Sequence, residues 1–196
     1  MSELRFDPHV ALVVVDVQND FADPAGSLYV TGAASVVARV NELVERASDA
    51  GAPILYTQDW HPSDTPHFEK DGGIWPVHCV RDTWGAAFHP SLHVNGETVR
   101  KGTHGEDGYS GFTMRDPHTG VESSTGLAER LRSLEVTSIV VVGLATDYCV
   151  KATALDGVRL DFPVTVDCAG VAAVDLEPGD GAGALSELAA AGVTLA

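Results

Sequence analysis

Cys149 follows the run SIVVVGLATDY, residues 138–148. Its β-branched opening reads as a strand buried on both faces of a parallel sheet. Gly143 and Ala145 turn the chain, and Thr146 is placed to cap a helix whose first turn holds Cys149. Free backbone N–H groups and the helix dipole favour a thiolate there. Any single cysteine can equally be a buried thiol packed behind a strand, so its neighbours must decide. Asp16 ends the apolar run 10–17, which puts a carboxylate at the C-terminal end of a buried strand, the edge where open α/β sheets bind ligands. Lys101 follows a short expected strand, 98–100, and precedes Gly102, where backbone can approach a ligand closely. The competing description of Lys101 is a solvated surface lysine whose removal costs little stability. Asp59, His61, His67 and His78 supply a carboxylate and three imidazoles within twenty residues. That donor set suits a divalent ion such as Zn, Fe or Mn and leaves room for an exchangeable position. A histidine-rich loop without metal has the same spacing, and spacing alone does not choose.

The elements that must position these groups follow from hydrophobic periodicity. Strands are expected over 10–17, 53–58, 98–100, 138–143, 163–167 and 193–195. Helices are expected over 34–50, where Val36, Val37, Val40, Leu43, Val44 and Ala47 form one stripe, and over 124–134, 150–160 and 181–191. Gly51 closes the first helix. Strands alternating with helices imply an α/β fold with a mainly parallel sheet. Residues 62–97 form a long irregular segment rich in Pro, Gly, His and Trp, and a loop of that length in a compact domain is usually functional. The 103–122 stretch reads as a second loop, serving as a lid or as a contact between copies in a homo-oligomer. Asp20 and Asp23 read as turn or capping aspartates, and Cys79 and Cys168 as buried structural thiols.

Composition narrows the partners. The chain has 196 residues and a formal net charge of −16, with Lys70, Lys101 and Lys151 as its only lysines. Such a surface repels phosphate backbones and anionic lipid, so neither nucleic acid nor membrane is an expected partner. Hydrophobic content of 44% is that of a globular protein. No apolar stretch is long enough to span a bilayer, and the first ten residues do not read as a signal peptide. Three cysteines without framework spacing imply reduced thiols, so a cytoplasmic location is expected. With no repeat or linker, residues 1–196 are expected to form one domain.

The motifs VVVDVQNDF, TQDWHPSDTPHF, WPVHCV, KG with YSGF downstream, and VGLATDYCV jointly resemble those of the isochorismatase-like cysteine hydrolases, and among them the nicotinamidases. The resemblance implies a three-layer α/β/α fold with about six strands. It also implies Cys149 as nucleophile, Asp16 as general base, Lys101 as third triad member, and a divalent metal on Asp59, His61, His67 and His78. Phe21 and Trp75 would sandwich a pyridine ring. A cis peptide between Leu144 and Ala145 would shape an oxyanion hole with the backbone N–H groups of Ala145 and Cys149. The implied activity is hydrolysis of nicotinamide, and of pyrazinamide, through a cysteine thioester, a step of NAD salvage. The rivals are a related hydrolase of another small amide or of isochorismate, and a non-catalytic metal- or ligand-binding protein of the same fold. The isochorismate-type hydrolases lack the metal ligands, a non-catalytic member would have lost a triad residue, and ammonia release from nicotinamide separates all three.

Overall fold

A computed structural model of the chain describes residues 4–196. The first strand, β1 (Val10–Val15), shows why its apolar run is continuous: successive side chains point to opposite faces, and both faces are covered. Leu12 and Val14 join the core beneath helix α2 (Ala33–Asp49), following the short helix α1 (Asn19–Ala22). Ala11, Val13 and Val15 join a second core on the far face. There they meet Leu131 of α3 (Leu127–Ser133), Ala154 of α4 (Lys151–Arg159) and Leu188 of α5 (Asp180–Ala190). Helices thus cover both faces of one sheet, giving the three layers expected.

That sheet also contains β2 (Ile54–Asp59), β3 (Glu97–Lys101), β6 (Ser138–Leu144), β7 (Val164–Ala172) and β8 (Thr194–Leu195). The six strands lie in the order β3-β2-β1-β6-β7-β8, every adjacent pair parallel. From β1 the chain winds outward through β2 to β3, then returns to place β6 on the other side of β1. The order reverses between β1 and β6, and the crevice outside the carboxyl ends of strands at such a reversal is the ligand-binding position of open α/β sheets. Gly143 permits the close approach of these two strands: a Cβ there would lie 2.1 Å from the Val15 carbonyl oxygen, and its φ of +113° is in the region glycine favours.

Several expectations change. Residues 113–124 are not an open loop but an antiparallel hairpin of β4 (Thr113–Arg115) and β5 (Glu122–Ser124), so the following helix starts at Leu127 and not at Ser124. Both strands are short, polar and partly or fully exposed, leaving no alternation to read. β7 runs five residues past 167, because after an irregularity it pairs again with β6 at Gly143↔Val171 and Leu144↔Ala172. Cys168 therefore lies within a strand and is exposed, whereas Cys79 is buried as expected. Among the described residues, no helix is long and apolar enough to cross a membrane.

Candidate active site

Four strand ends deliver charge or sulfur to one edge of the sheet. Asp16 directly follows β1 in a left-handed conformation (φ 49°), and its side chain is fully buried. Its Oδ1 accepts a hydrogen bond from Thr57 Oγ1 at 2.6 Å, and its Oδ2 lies 2.7 Å from Lys101 Nζ. Lys101, the last residue of β3, is no surface lysine; it is 0% exposed. Its ammonium also lies 2.5 Å from Asp59 Oδ1, donates to the Gly108 carbonyl, and stands 3.7 Å from Cys149 Sγ. Asp16, Asp59 and Cys149 are near enough to share a metal ion. The space among them already holds a cation, the Lys101 ammonium.

Burial opposes charge on all of these groups, and their partners decide which stay charged. Burial alone would neutralise Lys101, but the Asp16 and Asp59 carboxylates outweigh it and hold its pKa well above the ordinary value. Asp16 is pushed up to about 6 by burial, with Lys101 opposing. Burial would also raise Asp59, yet Lys101 and the adjoining histidines hold it below the usual carboxylate range. Burial pushes the Cys149 thiol well up, and Lys101 offsets this only in part. The resting sulfur is therefore a thiol, not the thiolate expected at a helix start. The local backbone differs as well. Residues Thr146–Val150 form a π turn ahead of α4, with Ala145 in the capping position, and Thr146 makes no side-chain cap. The peptide bond between Leu144 and Ala145 is cis.

Asp59 has a second oxygen, and it faces the histidines. Oδ2 lies 3.6 Å from His61 Nε2 and 4.0 Å from His78 Nε2. His61, His67 and His78 are all buried, with ring nitrogens close enough to share one ion. The Nδ1 of His78 hydrogen-bonds the Pro76 carbonyl at 2.7 Å, and that of His67 the Asp107 carboxylate at 2.8 Å. Both oxygens accept, so each Nδ1 carries a proton, and in the neutral ring Nε2 keeps its lone pair. His61 is fully buried, and among the described residues neither of its ring nitrogens has a hydrogen-bond partner. Burying an imidazole without partners is costly unless something else binds it. One carboxylate oxygen and three available imidazole nitrogens fit a divalent ion. Burial holds His78 down to about 4, so it is neutral and ready to coordinate at pH 7. Gly102 makes room for this cluster: a Cβ there would come within 2.5 Å of the His61 ring.

A small pocket opens beside both clusters. Phe21, Trp75, Leu144, Ala145 and Cys149 line it together with Asp59, His67 and His78; Asp16, Lys101 and His61 are not among its lining residues. Every candidate site residue from the sequence thus lies in the pocket wall or in contact with it. His89 and His93, from the same long loop, stand apart beside Asp23 and Glu45. Asp23 has the turn role expected, accepting from the Ala25 N–H, whereas Asp20 lies buried within α1 and instead ties distant segments together, accepting from the N–H groups of Ser27 and Cys79. The sequence did not single out Thr57, Asp107, Gly108, Tyr109 or Tyr148. Tyr109 accepts a hydrogen bond from Trp75 Nε1 at 2.8 Å, and Tyr148 packs edge-on against Trp75 at 4.8 Å. Both tyrosines lie inside quoted motifs, so their position was legible although their role was not.

Comparison with known proteins places the chain in a family. The Isochorismatase domain family matches residues 10–196, and the chain belongs to that family. It is 36% identical to a nicotinamidase of Escherichia coli, over 96% of this chain and 94% of that one. The zinc complex of a pyrazinamidase from Pyrococcus horikoshii superposes with a TM-score of 0.84 at 36% identity, covering 96% of this chain and 99% of that one. A protein from L. infantum in complex with nicotinate superposes with a TM-score of 0.88 at 35% identity, covering 98% and 95%.

Proposed function

We propose that this chain, acting as one domain, hydrolyses nicotinamide to nicotinic acid and ammonia, and pyrazinamide in the same way. The observation that carries the reading is Asp59, with one oxygen on the Lys101 ammonium and the other facing His61 and His78. It joins a cysteine–carboxylate–lysine cluster to a metal-type cluster at the mouth of one small pocket. The nicotinamidase and pyrazinamidase relatives support the choice of amide.

Asp16 takes the proton of the Cys149 thiol, and the sulfur attacks the carboxamide carbon. Lys101 keeps Asp16 ionised enough to act as base and offsets the negative charge that forms beside it. The backbone N–H groups of Ala145 and Cys149 receive the developing oxyanion. Protonated Asp16 gives its proton to the departing nitrogen, releasing ammonia and leaving a thioester on Cys149. Asp16 then takes a proton from water as the water oxygen attacks the thioester. The C–S bond breaks, the acid leaves, and the sulfur recovers its proton. Asp59, His61, His67 and His78 would hold a divalent ion, which would supply a Lewis-acid position for the ring nitrogen. Phe21 and Trp75 hold the ring, which fixes the carboxamide over Cys149. The donor set suits Zn, Fe or Mn, and the zinc complex of the P. horikoshii relative makes zinc the first ion to load.

The test compares amides on metal-loaded protein by ammonia release. Benzamide keeps the ring and carboxamide but lacks the ring nitrogen. A site built around a polar group discriminates against such an analogue by as much as roughly 10⁴–10⁵ in kcat/KM. Nicotinamide and pyrazinamide should be hydrolysed and benzamide should not. Equal kcat/KM for nicotinamide and benzamide would show that the ring nitrogen is not what the site reads.

A further inference from the structure

His67 is anchored differently from the other two histidines. The Nδ1 of His78 is held by the carbonyl of Pro76, two residues away, so its orientation is set locally. That of His67 is held by Asp107, forty positions along the chain. The side chain of Asp107 is about three-quarters buried (26% exposed), and its backbone is fixed twice. Its N–H donates to the Arg115 carbonyl at 2.8 Å, and its carbonyl accepts from the Arg115 N–H at 2.9 Å. Arg115 belongs to β4, so the β4–β5 hairpin holds Asp107 in place. A parallel tie lies two residues back: Thr65 Oγ1 donates to the Gly105 carbonyl at 2.8 Å and accepts from the His67 N–H at 3.2 Å. Residues 65–67 of the long loop are thus clasped to 105–107.

We propose that Asp107 is a positioning residue for the metal centre. It fixes the His67 tautomer, aims Nε2 inward and raises the basicity of the imidazole. The hairpin that presents Asp107 is therefore part of the metal site although it supplies no ligand. The inference rests on the metal reading above. A carboxylate hydrogen-bonded to a ligating imidazole restricts the ring and strengthens it as a donor, and loss of such a partner typically costs 10–100-fold in metal affinity. Asparagine at 107 keeps an acceptor oxygen without the charge, while alanine keeps neither.

The experiment titrates metal-free wild type, Asp107→Asn, Asp107→Ala, His67→Ala and the double variant His67→Ala/Asp107→Asn with Zn²⁺ against a chromophoric chelator. Co²⁺ spectra report the ligand field in parallel. Affinity should fall roughly 10–100-fold for Asp107→Ala and by less for Asp107→Asn, with a shifted Co²⁺ absorption band. On the His67→Ala background, Asp107→Asn should have no further effect, because the ring it acts through is gone. A merely structural role would lower the melting temperature of the metal-free protein and weaken binding equally on both backgrounds. Should Asp107→Ala fail to fold, Asp107→Asn and the double variant decide. Unchanged affinity in Asp107→Asn and Asp107→Ala, or an equal loss with and without His67, overturns the proposal while leaving the metal reading intact. A wild type that binds neither Zn²⁺ nor Co²⁺ overturns both.

Discussion

On one side of Asp59 lie Asp16, Lys101 and Cys149; on the other lie His61, His67 and His78. Both clusters are buried, and both are built from groups that water would stabilise. The first is closed within the chain. Its ammonium lies within 2.7 Å of two carboxylates and donates to a backbone carbonyl, so the buried charges compensate one another. The second is open: His61 has two unpartnered ring nitrogens, and the other two rings are turned so that Nε2 remains available. A cluster whose charges are paired within the chain can move protons. One left short of partners asks for something from outside. On the proposed reading, the difference separates the residues that do the chemistry from those that recognise the substrate.

The sharpest way to break the comparison is to remove the sulfur. Cys149→Ala should lose roughly 10⁴–10⁶-fold in turnover, the scale seen when a nucleophile is deleted from a catalytic set. It should still bind metal and melt near the wild-type temperature. If Cys149→Ala retains substantial activity while Cys79→Ala or Cys168→Ala abolishes it, the thioester belongs to another sulfur.

Lys101 tests whether the closed cluster is also structural. Read as a surface lysine, it could be removed at little cost. Its full burial reverses that expectation, because Lys101→Ala would leave Asp16 and Asp59 buried without a counter-ion. Stranding a buried charge costs about 3–5 kcal/mol, roughly 10 °C in melting temperature for a chain of this size. Lys101→Ala should also lose turnover sharply, and Lys101→Arg should be poor as well, since a planar guanidinium does not fit a site shaped for a compact ammonium. A wild-type melting curve for Lys101→Ala would mean that the ammonium does not compensate those carboxylates.

The open cluster should answer in the opposite way. His61→Ala breaks no hydrogen bond within the chain, so its cost is that of a cavity and smaller than for Lys101→Ala. It should nevertheless lose bound metal and depress nicotinamide hydrolysis. Metal analysis beside a melting curve of the metal-free protein measures both. Full metal occupancy in His61→Ala would remove His61 from the ligand set.

These contrasts show where sequence could be read and where it could not. Asp16, Asp59 and Cys149 were legible because each lies at or shortly past the end of a strand whose apolar stretch marks it as buried, a position that local pattern can find. The burial of Lys101 was not. Its strand is a mostly exposed edge, Glu97–Lys101, in which only the last residue turns fully inward, toward carboxylates distant in the chain. Spacing could group the histidines but not show that His61 lacks partners or that His67 leans on Asp107, since both depend on contacts across the fold. Thr146 misled because local propensity at a helix start was overridden by the π turn that carries Cys149. The polar hairpin over 113–124 left no periodicity to follow.

The smallest expected effect is in pH, and it asks which cluster titrates first. Asp16 must be ionised to take the thiol proton, and burial sets its pKa at about 6. Protonation removes the base, so kcat/KM should be flat above that value and fall as pH drops through it, reaching about a tenth of the plateau one unit below. The limb in kcat/KM reports the free enzyme. Acid also competes for imidazoles, so metal content must be measured on the same samples. His78 is held down to about 4, which keeps it neutral while Asp16 is already becoming protonated. If Asp16 sets the limb, activity falls with the metal still bound, and the loss reverses on returning to neutral pH without added ion. A rate that holds level down to pH 5, or one that falls only in step with released metal, would move the acid limb from the Asp16 side of Asp59 to the histidine side.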